Sequence, residues 1–381
     1  MAEGGLVGSL MPQRNLRGSR PQFLGAAMLT AGAIVARELV KPRPNETARL
    51  IDWDVVRRRA LSATGEAGPT HLVFTAAERG ARYDEMLAEL RPWMAEALGQ
   101  DLPASPFPTF TVVDRRGWVE VNLQLFRNLT EPVLKLQEML PASLATDLGR
   151  RGISEYLGAM TGFLSRRVLG QYDPVLMAAP GVASSSALYL VEPNIEAWEA
   201  KASVSGEPLR QWLVLHESTH AWEFEANPWL RDHLNGIIRD LIAHRLLSAE
   251  TPNRFEVVRA LTIGARSQWQ AMSQIQAVMS LLEGFSNVMM RRVGERHLSQ
   301  YHEVDTEFNR RSGRRSPAER AFFKITGLDM KMQQYVQGEA FCNAVIEAGG
   351  MERLSAVWRG PESLPSLDEI RDPTRWLART S

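Results

Sequence analysis

The chain has 381 residues, is 44% hydrophobic and carries 44 basic and 44 acidic side chains. That is ample apolar material for a large core, and a formal net charge of zero removes any global electrostatic case for nucleic acid or an anionic membrane surface. A single cysteine, Cys342, excludes an internal disulfide framework.

Residues 1–45 read as a variable leader rich in Gly, Arg, Pro and Ser. Within it, residues 23–36 form an apolar run too short for a bilayer, which needs about 20 residues. Arg14, Arg17 and Arg20 before that run give it a faint signal-peptide character. A cytoplasmic protein with no stable membrane span is the expectation, with export or N-terminal anchoring as the alternative. Lys41-Pro42-Arg43-Pro44-Asn45 reads as a linker.

Residues 46–381 read as one mainly α domain (α+β) with a small β-sheet. Apolar spacing of three to four residues predicts helices over 83–98, 118–129, 133–148 and 153–169, with the longest between 211 and 292. Strands are expected at 71–75, 109–113 and Ala187–Val191, the last flanked by serines and by Glu192-Pro193-Asn194. The basic run Arg310-Arg311-Ser312-Gly313-Arg314-Arg315 reads as a solvated loop. Cys342, in apolar surroundings, reads as a buried core thiol. The proline-rich tail, 361–381, is expected to wrap over the surface.

The chemistry lies in His216-Glu217-Ser218-Thr219-His220. Histidines four apart leave the same face of a helix, so both imidazoles can bind one zinc ion. Glu217 lies about 100° round the helix from His216, where it can reach a metal-activated water as general base. Val214, Leu215, Ala221 and Trp222 supply an apolar back. A catalytic zinc takes three protein ligands and leaves one position open. A third histidine six residues after His220 would fall on Ala226, so that class of site is excluded. Glu283, 63 residues after His220, is the acid in an apolar helical stretch, where a carboxylate is costly unless paired or metal-bound. Its alternative role is a salt bridge to Arg291 or Arg266. Gly284 beside it would admit another backbone, and Asn287, one turn on, could support a ligand imidazole. Glu223, Glu225 and Asp240 are poorer ligand candidates, since they lie on or just past the motif's own helix. An oxyanion donor is also required; Tyr172, Tyr335, Tyr301, His297 and His302 all remain open on spacing alone.

The segments 166–174, 215–221, 227–231, 281–284, 327–331 and 334–335 stand in order, followed by Leu364-Pro365 and Asp368-Glu369-Ile370. Together they resemble the zincin-like metallopeptidase type 2 family, a mostly actinobacterial group with few characterised members, some linked by label to deazaflavin coenzyme biosynthesis. The resemblance covers about residues 46–381. It implies a zincin-like helical fold, a Zn2+ site of His216, His220 and Glu283, and Glu217 as base. It also favours Tyr172 and Tyr335 among the donors. It names no substrate. A peptide is the first expectation, because Ala187–Val191 as an edge strand could pair with an extended chain. A small-molecule zinc hydrolase and a non-catalytic zinc-binding protein are the alternatives, and the presence of Glu217 argues against the last.

Overall fold

The computed structural model describes residues 51–65, 75–100, 102–103, 107–137, 147–177, 185–204, 206–243, 254–313 and 329–381. Side chains are described in these except at 129–137, 147–150, 241–243, 254–268, 309, 311–313 and 329–335. The leader, residues 71–74 of the expected first strand, and Arg314 and Arg315 lie outside them.

The chain is mainly helical, as expected. Helix α1 spans Trp53–Ala63 and α2 spans Ala76–Leu98. The second starts earlier than apolar spacing indicates because Thr75 and Glu78 form a reciprocal capping box. Gly99, at φ 70°, ends it in the left-handed region. Tyr83, Leu87, Leu90, Met94 and Leu98 bury one face. After β1, Phe110–Val113, helix α3 runs over Arg115–Gln137 and α4 over Asp147–Ser165. Two helices expected at 118–129 and 133–148 are therefore one helix continued through Pro132, and the gap falls later.

Strand β2, Gly170–Asp173, was not foreseen; the helix expected to run to residue 169 stops at Ser165. Strand β3, Ala187–Val191, pairs with both others, parallel to β1 and antiparallel to β2, in the order β1-β3-β2. It is the central strand, which corrects the expectation of an edge and withdraws β3 as a docking site for a peptide.

Helix α5, Glu192–Glu199, leads to α6, Gly206–Glu225, which carries the histidine motif. Helices α7, Pro228–Ala243, α8, Arg254–His297, α9, Tyr301–Gly313, and α10, Asp329–Ser355, follow, the last kinked at Gly349 and Gly350. Arg310 belongs to α9 and pairs with Glu307 at 2.8 Å, so the basic run begins on a helix rather than in a loop. Two 3-10 turns and the short helices α11, Leu367–Arg371, and α12, Pro373–Arg379, complete the chain. The tail does not merely wrap the surface. Trp376 is fully buried against Phe341, at 5.7 Å between ring centroids, and donates to Ser363 O at 2.8 Å.

The main core draws on α2, the sheet, and α5 to α12, with α6 and α8 at its centre; a smaller core joins α1 to α3. Cys342 is in the main core, as expected. No helix among the described residues is long and apolar enough to cross a membrane.

Candidate metal centre

Helix α6 is buried almost all round, with Leu213, Val214, Leu215, Ala221 and Trp222 in the core. A helix this deeply buried must satisfy its polar groups inside the protein, and Arg210, Glu217, Ser218, Thr219 and Glu223 are among its buried residues. Trp212, His216 and His220 recur every fourth residue, so their rings line one stripe. Trp212 stacks on His216 at 5.6 Å with 3° between planes, and the two imidazoles stand edge to face at 4.8 Å.

Helix α8 brings the third group. It can approach closely because Gly284 meets the α10 backbone at Gly338: a methyl on Gly284 would lie 2.6 Å from Glu339 N and closer still to Gly338. The close backbone approach anticipated for Gly284 is thus present. Glu283, 4% exposed, reaches His220, with Oε2 3.7 Å from Nε2. Ligand atoms of His216, His220 and Glu283 all lie within 4.8 Å of one another. The ligands of one tetrahedral zinc at about 2.1 Å would stand about 3.4 Å apart, so a small inward adjustment suffices. The donor set, two imidazoles and a carboxylate, is the set a catalytic zinc takes. The residues present therefore fit the ion.

The Nδ1 atoms are engaged elsewhere. Ser286 Oγ lies 3.0 Å from His216 Nδ1, and Glu223 Oε2 lies 2.9 Å from His220 Nδ1. This leaves the Nε2 atoms for a metal. The supporting group on α8 is Ser286 and not its neighbour Asn287, which donates to Glu339 at 3.4 Å. One residue along a helix is a 100° turn, enough to direct Asn287 to another partner. Arg291 also pairs with Glu339, so it does not supply the salt bridge considered for Glu283; Arg266 lies outside the described side chains.

Burial alone would lower the His220 imidazole, but Glu223, Glu283 and Glu217 outweigh it and raise its pKa. Burial raises the Glu223 carboxyl, and His220 opposes it. Three carboxylates around two imidazoles form a site with a strong demand for positive charge.

Glu217 is buried at 6% exposure and lies against β2. A methyl at Gly170 would sit 2.7 Å from Glu217 Cδ. Glycine at 170 therefore makes room for Glu217, a role visible in sequence only as a glycine within the 166–174 segment.

The other expected residues are spread more widely. Tyr172 donates its hydroxyl to Glu225 Oε1 at 2.7 Å, which also accepts from Ser186 at 2.6 Å and Arg231 at 3.2 Å. Burial, then the Glu225 bond, push the Tyr172 hydroxyl far up, so it remains a protonated donor. Helix α10 passes through Tyr335, whose side chain lies outside those described. His297 stacks on Trp93 at 4.8 Å and faces Glu96, Tyr301 packs on Gly294, and His302 is exposed. Asp240 is exposed as well.

A family model described as zincin-like metallopeptidase matches residues 51–377. A solved structure from Chloroflexus aurantiacus, described provisionally as a hydrolase with a novel fold, is 37% identical with a TM-score of 0.65, covering 87% of this chain and 98% of that one. No curated protein matches the chain. With a family model spanning all but the ends of its sequence, and with two histidines and a glutamate converging beside a small sheet, the chain belongs to the zincin-like metallopeptidase family.

Proposed function

We propose that the chain is a zinc-dependent hydrolase of peptide bonds, with His216, His220 and Glu283 as metal ligands and Glu217 as general base. The observation that carries this reading is the convergence of those three ligand atoms within 4.8 Å, with Glu217 on the same helix between the histidines. Zinc, when bound, supplies Lewis acidity, which lowers the pKa of water and polarises a carbonyl oxygen. Glu217 takes the proton of the attacking water on its carboxylate and returns it to the leaving nitrogen. Trp212 stacks on His216, and Glu217 and Glu283 are buried beside the imidazoles, which strengthens each charge interaction in the site. Tyr172 or Tyr335 donates to the oxyanion. For Tyr172 this requires release from Glu225.

Support for a peptide substrate passes from β3 to β2. Among the described residues, strand β2 pairs with β3 on one side only, and its Gly170 touches Glu217. An extended chain added to its outer edge would lie beside the base. A small-molecule substrate is the second reading, favoured by the burial of Glu217 and Glu283 at 6% and 4% exposure.

The test is hydrolysis of a peptide library and of small amide and ester substrates by zinc-loaded protein. Cleavage of peptides, abolished by chelation and reduced by about 10²-fold or more in Glu217→Gln, supports the proposal. Full activity in Glu217→Gln removes the general base. Turnover of small substrates alone moves the assignment to the second reading.

A further inference from the structure

Helix α6 carries a third acid that the hydrolytic scheme does not use. Glu223 follows His220 by three residues, so the two side chains meet on one face. Glu223 is 0% exposed, and its Oε2 lies 2.9 Å from His220 Nδ1. Its other oxygen, Oε1, is buried with no hydrogen-bond partner among the described residues. Leu215, Ala221, Trp222 and Phe224 on the same helix are buried apolar groups, and the helix also buries the polar Ser218 and Thr219. A buried carboxylate half satisfied is expensive to keep in such a place. Apolar packing alone does not account for it.

We propose that Glu223 is a positioning residue for the metal centre, which accepts the Nδ1 proton of His220, fixes its tautomer, and presents Nε2 to the ion. The inference rests on the reading of His216, His220 and Glu283 as ligands. A carboxylate can only accept here, so it forces the proton onto Nδ1 and the lone pair onto Nε2. His216 has a weaker support. Ser286 Oγ, at 3.0 Å from its Nδ1, can donate or accept and does not dictate a tautomer. The two ligand histidines are thus unequal, and His220 is the one whose orientation is imposed. The same spacing recurs on α8, where Glu283 supplies a ligand and Ser286, three residues on, supports His216. Each helix therefore brings a ligand to the metal together with a group that steadies an imidazole. Glu223 steadies its own helix's His220, and Ser286 reaches across to His216.

The experiment measures zinc affinity by competition with a chromophoric chelator in wild type, Glu223→Ala, Glu223→Gln and Ser286→Ala, beside thermal melts of the metal-free proteins. Glu223→Ala should bind zinc about 10- to 100-fold more weakly. Glu223→Gln, whose amide oxygen still accepts from Nδ1, should lose less than Glu223→Ala, and so should Ser286→Ala. Equal affinity in wild type and both Glu223 variants overturns the proposal, and a melt that falls with no change in affinity assigns Glu223 to packing. Wild type that binds no zinc overturns the ligand assignment and this inference together. Nitrogen NMR of zinc-loaded wild type decides the matter if Glu223→Ala does not fold. His220 should carry zinc on Nε2 and a slowly exchanging proton on Nδ1, and zinc on Nδ1 overturns the inference.

Discussion

Replacing Gly284 by alanine tests whether the contact between α8 and α10 sets the metal centre. The added methyl would lie 2.6 Å from Glu339 N and closer to the Gly338 carbonyl, all backbone atoms that no rotamer change can move. Ordinary contact begins near 3.4 Å. The helices must therefore part by at least about 0.8 Å, taking Leu281, Leu282, Phe285 and Phe341 with them. Overpacking a well-filled core costs about 1–3 kcal/mol, and the upper half of that range is expected because the clash is with backbone. Glu283 immediately precedes Gly284 and moves with α8, so its 3.7 Å approach to His220 lengthens and zinc affinity falls by at least about tenfold. Gly236 on α7 is the control, since a methyl there meets nothing within 4 Å. Gly236→Ala should stabilise the protein by up to about 1 kcal/mol through helix propensity. Urea unfolding of both variants, with zinc competition titrations, reads the two effects. Gly284→Ala with wild-type stability and wild-type zinc affinity would refute the argument.

Val175 has φ 56°, a conformation that strains a β-branched residue, in the turn that follows β2. Val175→Gly should stabilise the fold by about 1 kcal/mol by relieving that strain, and an unchanged or lower urea midpoint would contradict the expectation. Glu369 on α11 tests an electrostatic tie of the tail. Burial alone would raise its carboxyl, but Arg379, at 2.6 Å, and the Ser366 cap hold it below the usual range. A lowered folded pKa gives stability that is fully present above the unfolded value of about 4.3 and is lost as pH falls through the folded value. The difference in urea midpoint between wild type and Arg379→Gln should thus be largest at neutral pH and shrink in acid. A gap that stays constant with pH would contradict it.

What was legible in the sequence was local. The histidine motif and its apolar flanks are encoded within one or two helical turns and can be read from spacing alone. The capping box at Thr75 and Glu78 is just as local but was missed, so the helix was expected to begin only at residue 83. Glu283 was singled out because one acid in an apolar helix needs a partner, and the fold brings it beside His216 and His220. Strand β2 was missed because Gly170-Gln171-Tyr172-Asp173 has no apolar alternation; its conformation comes from pairing with β3, which is distant in sequence. The same pairing turned β3 from an edge into a centre. Asn287 and Ser286 differ by one position, and only the rotation of α8 against α6 decides which meets His216. Glu223 was weighed only as a ligand, although its three-residue offset from His220 already marked it as a neighbour. The tail was misjudged from its prolines, while Trp376 carried the signal for docking into the core.

Zinc-edge anomalous diffraction from crystals of zinc-loaded protein tests the metal centre most directly. One peak per chain, about 2.0–2.2 Å from the Nε2 atoms of His216 and His220 and from a carboxylate oxygen of Glu283, is the predicted result. A peak ligated by another acid would move the third ligand, and protein that retains no zinc at that position would contradict the account.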